Sequence, residues 1–166
     1  MKKSLVLIII LFSLIFADTN KEKRAIDFVL KDINNKNVKL SDTVKKYPLT
    51  VVNFWATWCM PCRAELKDLN KLYKQYKNKN VHIISISIDD PKTAGRVKSF
   101  ARANKIKHDV WLDTNNEVMR KYHINNPPFT MLIDKDMNVI YEHTGYRKGD
   151  IVFLKKEIDQ LFTKEK

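Results

Sequence analysis

The chain has 166 residues, of which 44% are hydrophobic and 10% aromatic, so it is long enough to bury the core of one domain. Only three glycines and five prolines occur and no low-complexity run is present, which excludes collagen-like and repeat architectures. The net charge is +12, but the basic residues are scattered and form no arginine-aromatic stripe, so we expect no nucleic-acid partner. A solvated basic surface is the preferred interpretation, and attraction to membrane phosphates or to an acidic protein is the alternative.

The first seventeen residues differ from the rest of the chain. Two lysines precede an apolar run over residues 5–16, and a polar, charged segment follows it. The run has the length of a signal-peptide core and is shorter than the ~20 residues of a membrane span. We therefore expect residues 1–17 to be a signal peptide cleaved after Ala17 or an uncleaved membrane anchor, with a buried core helix as a third alternative. Residues 18–166 then form one exported domain.

The next part of the chain predicts strands. Residues 25–48 indicate two short strands around a turn at Asn34 and Asn35, followed by a loose helical turn. Residues 49–55 are a continuous run of β-branched and aromatic side chains, which is typical of a central strand covered on both faces. This strand ends just before the two cysteines of the chain.

Helices and strands alternate through the remainder. Apolar residues at helical spacing predict helices over 61–77, 92–104 and 149–162 and a short helical turn over 117–122, while apolar runs predict strands over 81–88, 109–112, 129–133 and 139–143. An alternation of this kind that finishes in a hairpin and a helix predicts an α/β fold, with a mixed central sheet flanked by helices.

The two cysteines, Cys59 and Cys62, lie where the central strand ends and a helix begins. A disulfide that closes so short a loop removes little unfolded-state entropy, so a purely structural bond is a poor explanation. The N-terminus of a helix offers N–H groups and a positive dipole end that stabilise a thiolate, so Cys59 is predicted to be the nucleophile. Cys62 lies inside the first turn and is predicted to resolve the mixed disulfide. Met60 and Pro61 set the start of the helix.

The segment from Trp55 to Arg63, WATWCMPCR, resembles the active site of the thioredoxin superfamily, and in particular its exported bacterial branch of TlpA-type and ResA-type proteins. The resemblance runs from about residue 25 to residue 162. It is supported by residues 38–42, 85–90 and 127–134. It implies a thioredoxin-like fold with an N-terminal strand or hairpin extension, thiol-disulfide oxidoreductase activity through a redox-active disulfide, and no bound cofactor.

The resemblance also implies a substrate-binding surface around the cysteines. In the family a cis-proline loop faces the disulfide and offers backbone hydrogen bonds to the substrate, and the matching position is Pro128. Pro127 precedes it and removes one N–H that a substrate chain could have used, and a plain rigid turn is the alternative for the two prolines. The candidate substrate-binding residues are Trp58, Met60, Pro61, Pro128 and Phe129.

The predicted site also includes a proton-transfer group. Cytoplasmic thioredoxins carry a buried aspartate in the central strand, and the matching residue here is Asn53. In the ResA-like branch a glutamate after the next strand lies near the cysteines, and Asp90 is the closest match, with Asp89 beside it. We expect a partly desolvated Asp90 with a raised pKa to relay the proton of Cys62, with a helix N-cap before Pro91 as the alternative.

Three other functions were weighed against exchange chemistry. A metal site is not expected, because the two cysteines supply only two ligands and the four histidines are far apart in sequence without paired spacing. Peroxiredoxins share the scaffold, but they place the attacking cysteine in a threonine-rich loop and use a distant resolving cysteine. A binding module that has kept the fold is the non-enzyme alternative, and the presence of both sulfurs at the helix start argues against it.

The direction of the exchange follows only from the resemblance. It implies a reductant that receives electrons from a membrane thiol carrier and acts on disulfide-containing exported proteins, such as apocytochromes c before haem attachment. An oxidant or isomerase of folding proteins is the alternative, because CxxC scaffolds span reduction potentials from roughly −270 to −120 mV. The expected location is the periplasm or another extracytoplasmic space, and membrane association is compatible with the basic charge.

Overall fold

The structure is a computed structural model that describes residues 23–164. The segment 1–17, in which the sequence predicts a signal peptide or anchor, lies outside these residues, so that assignment stays a prediction. Among the described residues, no helix combines the length and the apolar character needed to cross a membrane.

Seven strands and five helices make up residues 23–164, in nearly the order that the sequence predicts. They are β1 (Val29–Asp32), β2 (Asn37–Lys39), α1 (Leu40–Val44), β3 (Leu49–Trp55), α2 (Met60–Tyr76), β4 (Val81–Ser87), α3 (Gly95–Ala103), β5 (Asp109–Leu112), α4 (Glu117–Lys121), β6 (Phe129–Asp134), β7 (Val139–Thr144) and α5 (Ile151–Lys164). A single 3₁₀ turn, Lys77–Lys79, extends α2.

The strands form one mixed sheet in the order β2-β1-β5-β4-β3-β6-β7. β3 and β5 run parallel to β4, and the other neighbours pair antiparallel. Every residue of β3 and β4 is buried, as the apolar runs predict for central strands covered on both faces. This is the thioredoxin-like α/β fold that was expected, and the hairpin of β1 and β2 is its N-terminal extension.

The sheet separates two hydrophobic clusters. Neighbouring residues of β3 belong to different clusters, Val52 to one and Val51 to the other, because successive side chains of a strand point to opposite faces. Helix α2 spans both clusters, with Leu66 in the first and Leu69 in the second. The buried stripe of α2 therefore fixes the helix against β3, with its N-terminus at the end of that strand.

Two helices begin later than the sequence predicts, and local backbone features explain both differences. The Asp90 carboxylate accepts the N–H groups of Lys92 and Thr93, so a capped turn precedes α3. At α5 the backbone of Gly149 has a φ of +105°, which a helix does not permit, and α5 starts at Ile151 instead.

Candidate active site

Cys59 and Cys62 form a disulfide at the N-terminus of α2. Cys59 is the N-cap residue, with extended backbone, and its Sγ accepts the N–H of Cys62 at 3.3 Å. The sequence folds this way because Pro61 needs no N–H partner in the first turn. Cys59 is 6% exposed and Cys62 is completely buried. Cys59 therefore carries the only sulfur of the pair that reaches the surface, and it lies where helix N–H groups stabilise a thiolate.

A buried carboxylate holds the turn that presents Cys59. Asp89, which is 1% exposed, follows β4 and accepts hydrogen bonds from the backbone N–H of Thr57 at 2.9 Å and from its hydroxyl at 2.5 Å. The hydroxyl of Ser87 donates to the same carboxylate at 2.8 Å. Because these bonds join the β3–α2 turn to the end of β4, they limit the movement of the cysteine turn relative to the sheet.

A second buried carboxylate, Glu65, lies on α2 and is only 3% exposed. The amide of Asn53 donates to it at 2.9 Å and the hydroxyl of Thr130 donates at 2.7 Å. Burial raises the pKa of Glu65 from 4.5 to about 7, although these two hydrogen bonds act in the opposite direction. This side chain can therefore accept and release a proton near neutral pH.

Glu65 also lies beside the resolving position. It follows Cys62 by three residues on the same buried face of α2, and such positions place their Cβ atoms about 5–6 Å apart. Sequence reasoning missed Glu65, although a signal was available: an acidic residue on the apolar stripe of an amphipathic helix has to be desolvated. The aspartate missing at Asn53 is thus replaced by a carboxylate that reaches Asn53 from the helix.

The prediction for Asp90 is wrong. Asp90 is exposed rather than desolvated, and its carboxylate accepts hydrogen bonds from the hydroxyl and N–H of Thr93 and from the N–H of Lys92. These bonds, led by the Thr93 hydroxyl, lower the pKa of Asp90 instead of raising it. Its contacts are those of the cap that was the alternative interpretation.

The two prolines lie against the disulfide. The Pro127–Pro128 peptide bond is cis, and the carbonyl oxygen of Pro127 lies 3.8 Å from Cys59 Sγ. The carbonyl of buried Pro128 accepts the N–H of Gly145 at 2.7 Å, while partly buried Phe129 begins β6 and packs near Phe54. Because neither proline has an N–H, these positions offer an approaching chain one acceptor, the carbonyl of Pro127, and no donor.

The surface next to Cys59 is apolar and exposed. Trp58 is 61% exposed and Met60 is 71% exposed, and Pro61 is exposed beside them. Trp55 is different, since it is completely buried with its ring 5.3 Å from that of Phe100. The structure thus gathers Trp58, Met60, Pro61 and the proline pair around Cys59, and it leaves only Asp90 outside the predicted site.

Within residues 23–164, no group of three or more His, Cys, Asp and Glu side chains is placed so that it could hold a metal ion. Two of the histidines contact other groups: His82 contacts Asp109, and His108 contacts Ser85. The reactive groups that the described residues place at the helix start are the two sulfurs, with the buried carboxylate of Glu65 one turn further along the helix.

A thioredoxin-like fold with a CxxC disulfide at the first helix turn after a central strand defines a class of enzymes, the thiol-disulfide oxidoreductases. The chain belongs to the AhpC/TSA family, whose profile matches residues 22–142. Both the site and the sequence relationships support this class.

Individual relatives agree with that assignment. The chain is 38% identical over 123 residues to thiol-disulfide oxidoreductase ResA of Bacillus thuringiensis subsp. konkukian, an alignment that covers 74% of this chain and 69% of the relative. It is 31% identical over 153 residues to ResA of Geobacillus thermodenitrificans, covering 86% of each. Among solved structures, a putative thiol:disulfide interchange protein DsbE from Chlorobium tepidum superposes with a TM-score of 0.75 at 29% identity, covering 82% of this chain and 94% of that one. The protein is thus a thiol-disulfide oxidoreductase whose partners contain disulfides.

Proposed function

We propose that this enzyme works outside the cytoplasm as a reductant of disulfides in specific exported proteins, with apocytochromes c as the substrate class. The proposal rests chiefly on the different surroundings of the two cysteines: Cys59 lies beside an exposed apolar surface, and Cys62 is completely buried three residues before the buried carboxylate of Glu65 on the same helix. The chemistry, the direction and the location of the reaction each have their own support.

The proposed reaction uses both sulfurs in turn. The Cys59 thiolate attacks one sulfur of the substrate disulfide, which forms a mixed disulfide and releases the other substrate sulfur as a thiolate. Cys62 then loses its proton to Glu65 and attacks Cys59, which forms the Cys59–Cys62 disulfide and releases the second substrate thiolate. Two electrons pass from the enzyme to the substrate, and a membrane thiol donor restores the reduced enzyme.

The carboxylate of Glu65 supports the reducing direction. A dithiol protein becomes a strong oxidant when its reduced, thiolate form is stabilised. A neighbouring negative charge has the opposite effect, because it disfavours a second anion on the reduced pair of cysteines. Glu65 therefore favours the disulfide form of the enzyme, and this makes the reduced enzyme a better reductant.

Substrate binding is assigned to the surface around Cys59. Trp58, Met60 and Pro61 offer an exposed apolar area to a polypeptide, with Phe129 supporting the loop beside it. The carbonyl of Pro127 can accept a backbone N–H from the residue next to the substrate cysteine, while Pro128 holds the loop against the disulfide.

The extracytoplasmic location is supported by the sequence of residues 1–17, with its two lysines and apolar run. An export signal is consistent with a membrane thiol donor and with substrates that acquire disulfides after export. The basic surface favours association with the anionic membrane from which the electrons come.

A haem-attachment peptide tests the substrate class and the direction together. The reduced full-length protein is mixed with an oxidised Cys-x-x-Cys-His peptide, and free peptide thiols are measured. The matched control is a scrambled disulfide peptide of the same composition. We expect faster reduction of the haem-attachment peptide. Equal rates would contradict the substrate class, and failure to reduce either peptide would contradict the reductant.

A further inference from the structure

A small cavity lies behind Glu65, on the side of α2 that faces β7 and α5. Its volume is about 10 Å³, close to the space that one water molecule needs. The polar residues that line it are Glu65, Thr130, Tyr141, His143, Tyr146 and Asp150. A cavity of this size with several polar groups can hold a water that passes a proton between them.

The outer end of the cavity is formed by a histidine and a carboxylate that reach solvent. His143 Nε2 lies 3.5 Å from Asp150 Oδ2, and the two side chains are 35% and 21% exposed. Glu65, at the inner end, is almost completely buried. The residues of this cavity therefore connect a buried titratable group with the surface.

The other polar groups around Glu65 already take part in hydrogen bonds. Tyr146 donates its hydroxyl to Asp68, which also pairs with Lys71 and feels the charge of Lys148. From the sheet, Asn53 and Thr130 donate their hydrogens to the carboxylate of Glu65 itself.

Tyr141 and His143 face the cavity from β7, and Asp150 faces it from the segment before α5. Tyr141 has a raised pKa, because it is partly buried and lies near the negative charges of Asp150, Glu157 and Glu65. The two ring nitrogens of an imidazole allow it to take up a proton on one side and release it on the other, so His143 with Asp150, which both reach solvent, is the pair that can pass a proton out of the cavity.

A proton needs such a route at one step of the reaction. When a partner polypeptide is joined to Cys59, it covers the exposed face around that residue, and the proton that Cys62 gives to Glu65 has to leave by another path. The cavity offers one that is lined by β6, β7 and α5 and does not pass Cys59.

We propose that His143 and Asp150 form a proton exit, which carries the proton of Glu65 to solvent through this cavity while the substrate covers Cys59. The proposal rests on the role of Glu65 as the base for Cys62. One proton moves from Cys62 to Glu65, then through the cavity to His143 and into the solvent, and the carboxylate of Glu65 is regenerated. His143 and Asp150 are positioning and transfer residues and do not touch the substrate.

The two exchange steps can be separated with a peptide whose single cysteine is joined in a mixed disulfide to a chromogenic aromatic thiol. Attack by Cys59 on the peptide sulfur releases the coloured thiolate and leaves the peptide covering Cys59, and attack by Cys62 then releases the peptide thiol. The reduced full-length protein is mixed rapidly with this probe. The first phase reports attack by Cys59, and the second reports attack by Cys62. We expect His143→Gln to leave the first phase unchanged and to slow the second roughly tenfold. Added imidazole, which carries protons by diffusion, should restore the second phase.

Asp150→Asn gives an independent readout. The asparagine oxygen can still accept the N–H of Arg147, which the carboxylate of Asp150 binds at 2.7 Å, so the turn before α5 is kept. The negative charge is lost, and that charge contributes to the raised pKa of Glu65. We expect the pH midpoint of the second phase to move to lower pH, whereas His123→Asn, a change at an exposed histidine, should shift neither phase.

The second phase in His143→Gln and in Glu65→Gln decides whether the proton exit and the role of Glu65 hold. An unchanged second phase in His143→Gln, or a slow one that imidazole does not restore, would overturn the proton exit. If Glu65→Gln slows the second phase and His143→Gln does not, the exit is wrong while the proposed function stands. If Glu65→Gln also leaves the second phase unchanged, Glu65 is not the base, and the proposed mechanism fails together with the exit.

Discussion

The two sulfurs of the disulfide are covalently joined but lie in different surroundings. On the Cys59 side the side chains of Trp58 and Met60 are mostly exposed, and the backbone carbonyl of Pro127 lies 3.8 Å from Cys59 Sγ. On the Cys62 side all groups are buried, and Glu65 is held by two hydrogen bonds. The difference supports the proposal that partner contact and proton transfer take place on opposite sides of one bond, and it means that each side can be altered separately.

Replacing each sulfur should give the largest effects and should separate the two sides. Cys59→Ser should abolish exchange, because the accessible nucleophile is lost. Cys62→Ser should retain the first attack and accumulate a mixed disulfide, because no thiol can resolve it. Mass spectrometry of each variant after incubation with a disulfide peptide distinguishes the two. An adduct on Cys59→Ser and none on Cys62→Ser would contradict the assignment of Cys59 as the nucleophile and Cys62 as the resolving cysteine.

Removing the charge on the Cys62 side should have the next largest effect on the rate. Glu65→Gln keeps the shape of the side chain and should slow the Cys62 step by about 100-fold at neutral pH, since positioned bases contribute that much. In the unaltered protein the same step should accelerate as pH rises through about 7, where Glu65 ionises. A pH–rate profile with the same inflection in both proteins would contradict this assignment.

The charge of Glu65 should also make the free energy of unfolding of the oxidised protein depend on pH. The pKa of Glu65 is higher in the folded protein, about 7, than its usual value of 4.5, so ionisation opposes folding. Its contribution is fully favourable below about pH 4.5 and is lost as pH rises to about 7, which amounts to about 3 kcal/mol. We expect the free energy of unfolding of Glu65→Gln, relative to the unaltered protein, to rise by that amount over this range.

Comparing the two proteins also removes the contribution of His108, whose pKa shift is caused by burial, Asp109 and His82 and so is present in both proteins. Burial lowers the pKa of His108 to about 4, so its stabilising effect is present above about pH 6.5 and is lost as pH falls toward 4. Urea denaturation of both proteins at several pH values measures the difference. A difference that does not change with pH would contradict the buried, titrating Glu65.

The smallest effects concern the two neighbouring aspartates after β4. Asp89→Asn should destabilise the protein by about 1–3 kcal/mol, because one oxygen that accepts hydrogen bonds becomes a donor facing Thr57 and Ser87. Asp90→Asn should leave both stability and exchange unchanged, because asparagine caps a turn as well as aspartate does. Thermal unfolding and rate measurements on this matched pair check the prediction. Equal effects of the two changes would contradict it.

Much of the fold follows from the sequence, because strong local patterns coincide with the tertiary structure. The run at 49–55 becomes β3 without a shift, and the CxxC segment lies at the helix start as expected. The functional carboxylates were harder to identify. Asp89 and Asp90 are adjacent, and which of them turns inward depends on how the chain leaves β4. The hydrogen-bond partners of Glu65 lie on other elements, Asn53 12 residues and Thr130 65 residues away in sequence, so local pattern does not reveal them.

The reduction potential of the Cys59–Cys62 pair tests the central claim most directly. The full-length protein and Glu65→Gln are equilibrated with thiol buffers of known potential, and the reduced fraction is measured by alkylation. The account predicts a potential below roughly −230 mV for the unaltered protein, toward the thioredoxin end of the range, and a less negative value for Glu65→Gln. A potential near −120 mV, or no difference between the two proteins, would contradict it.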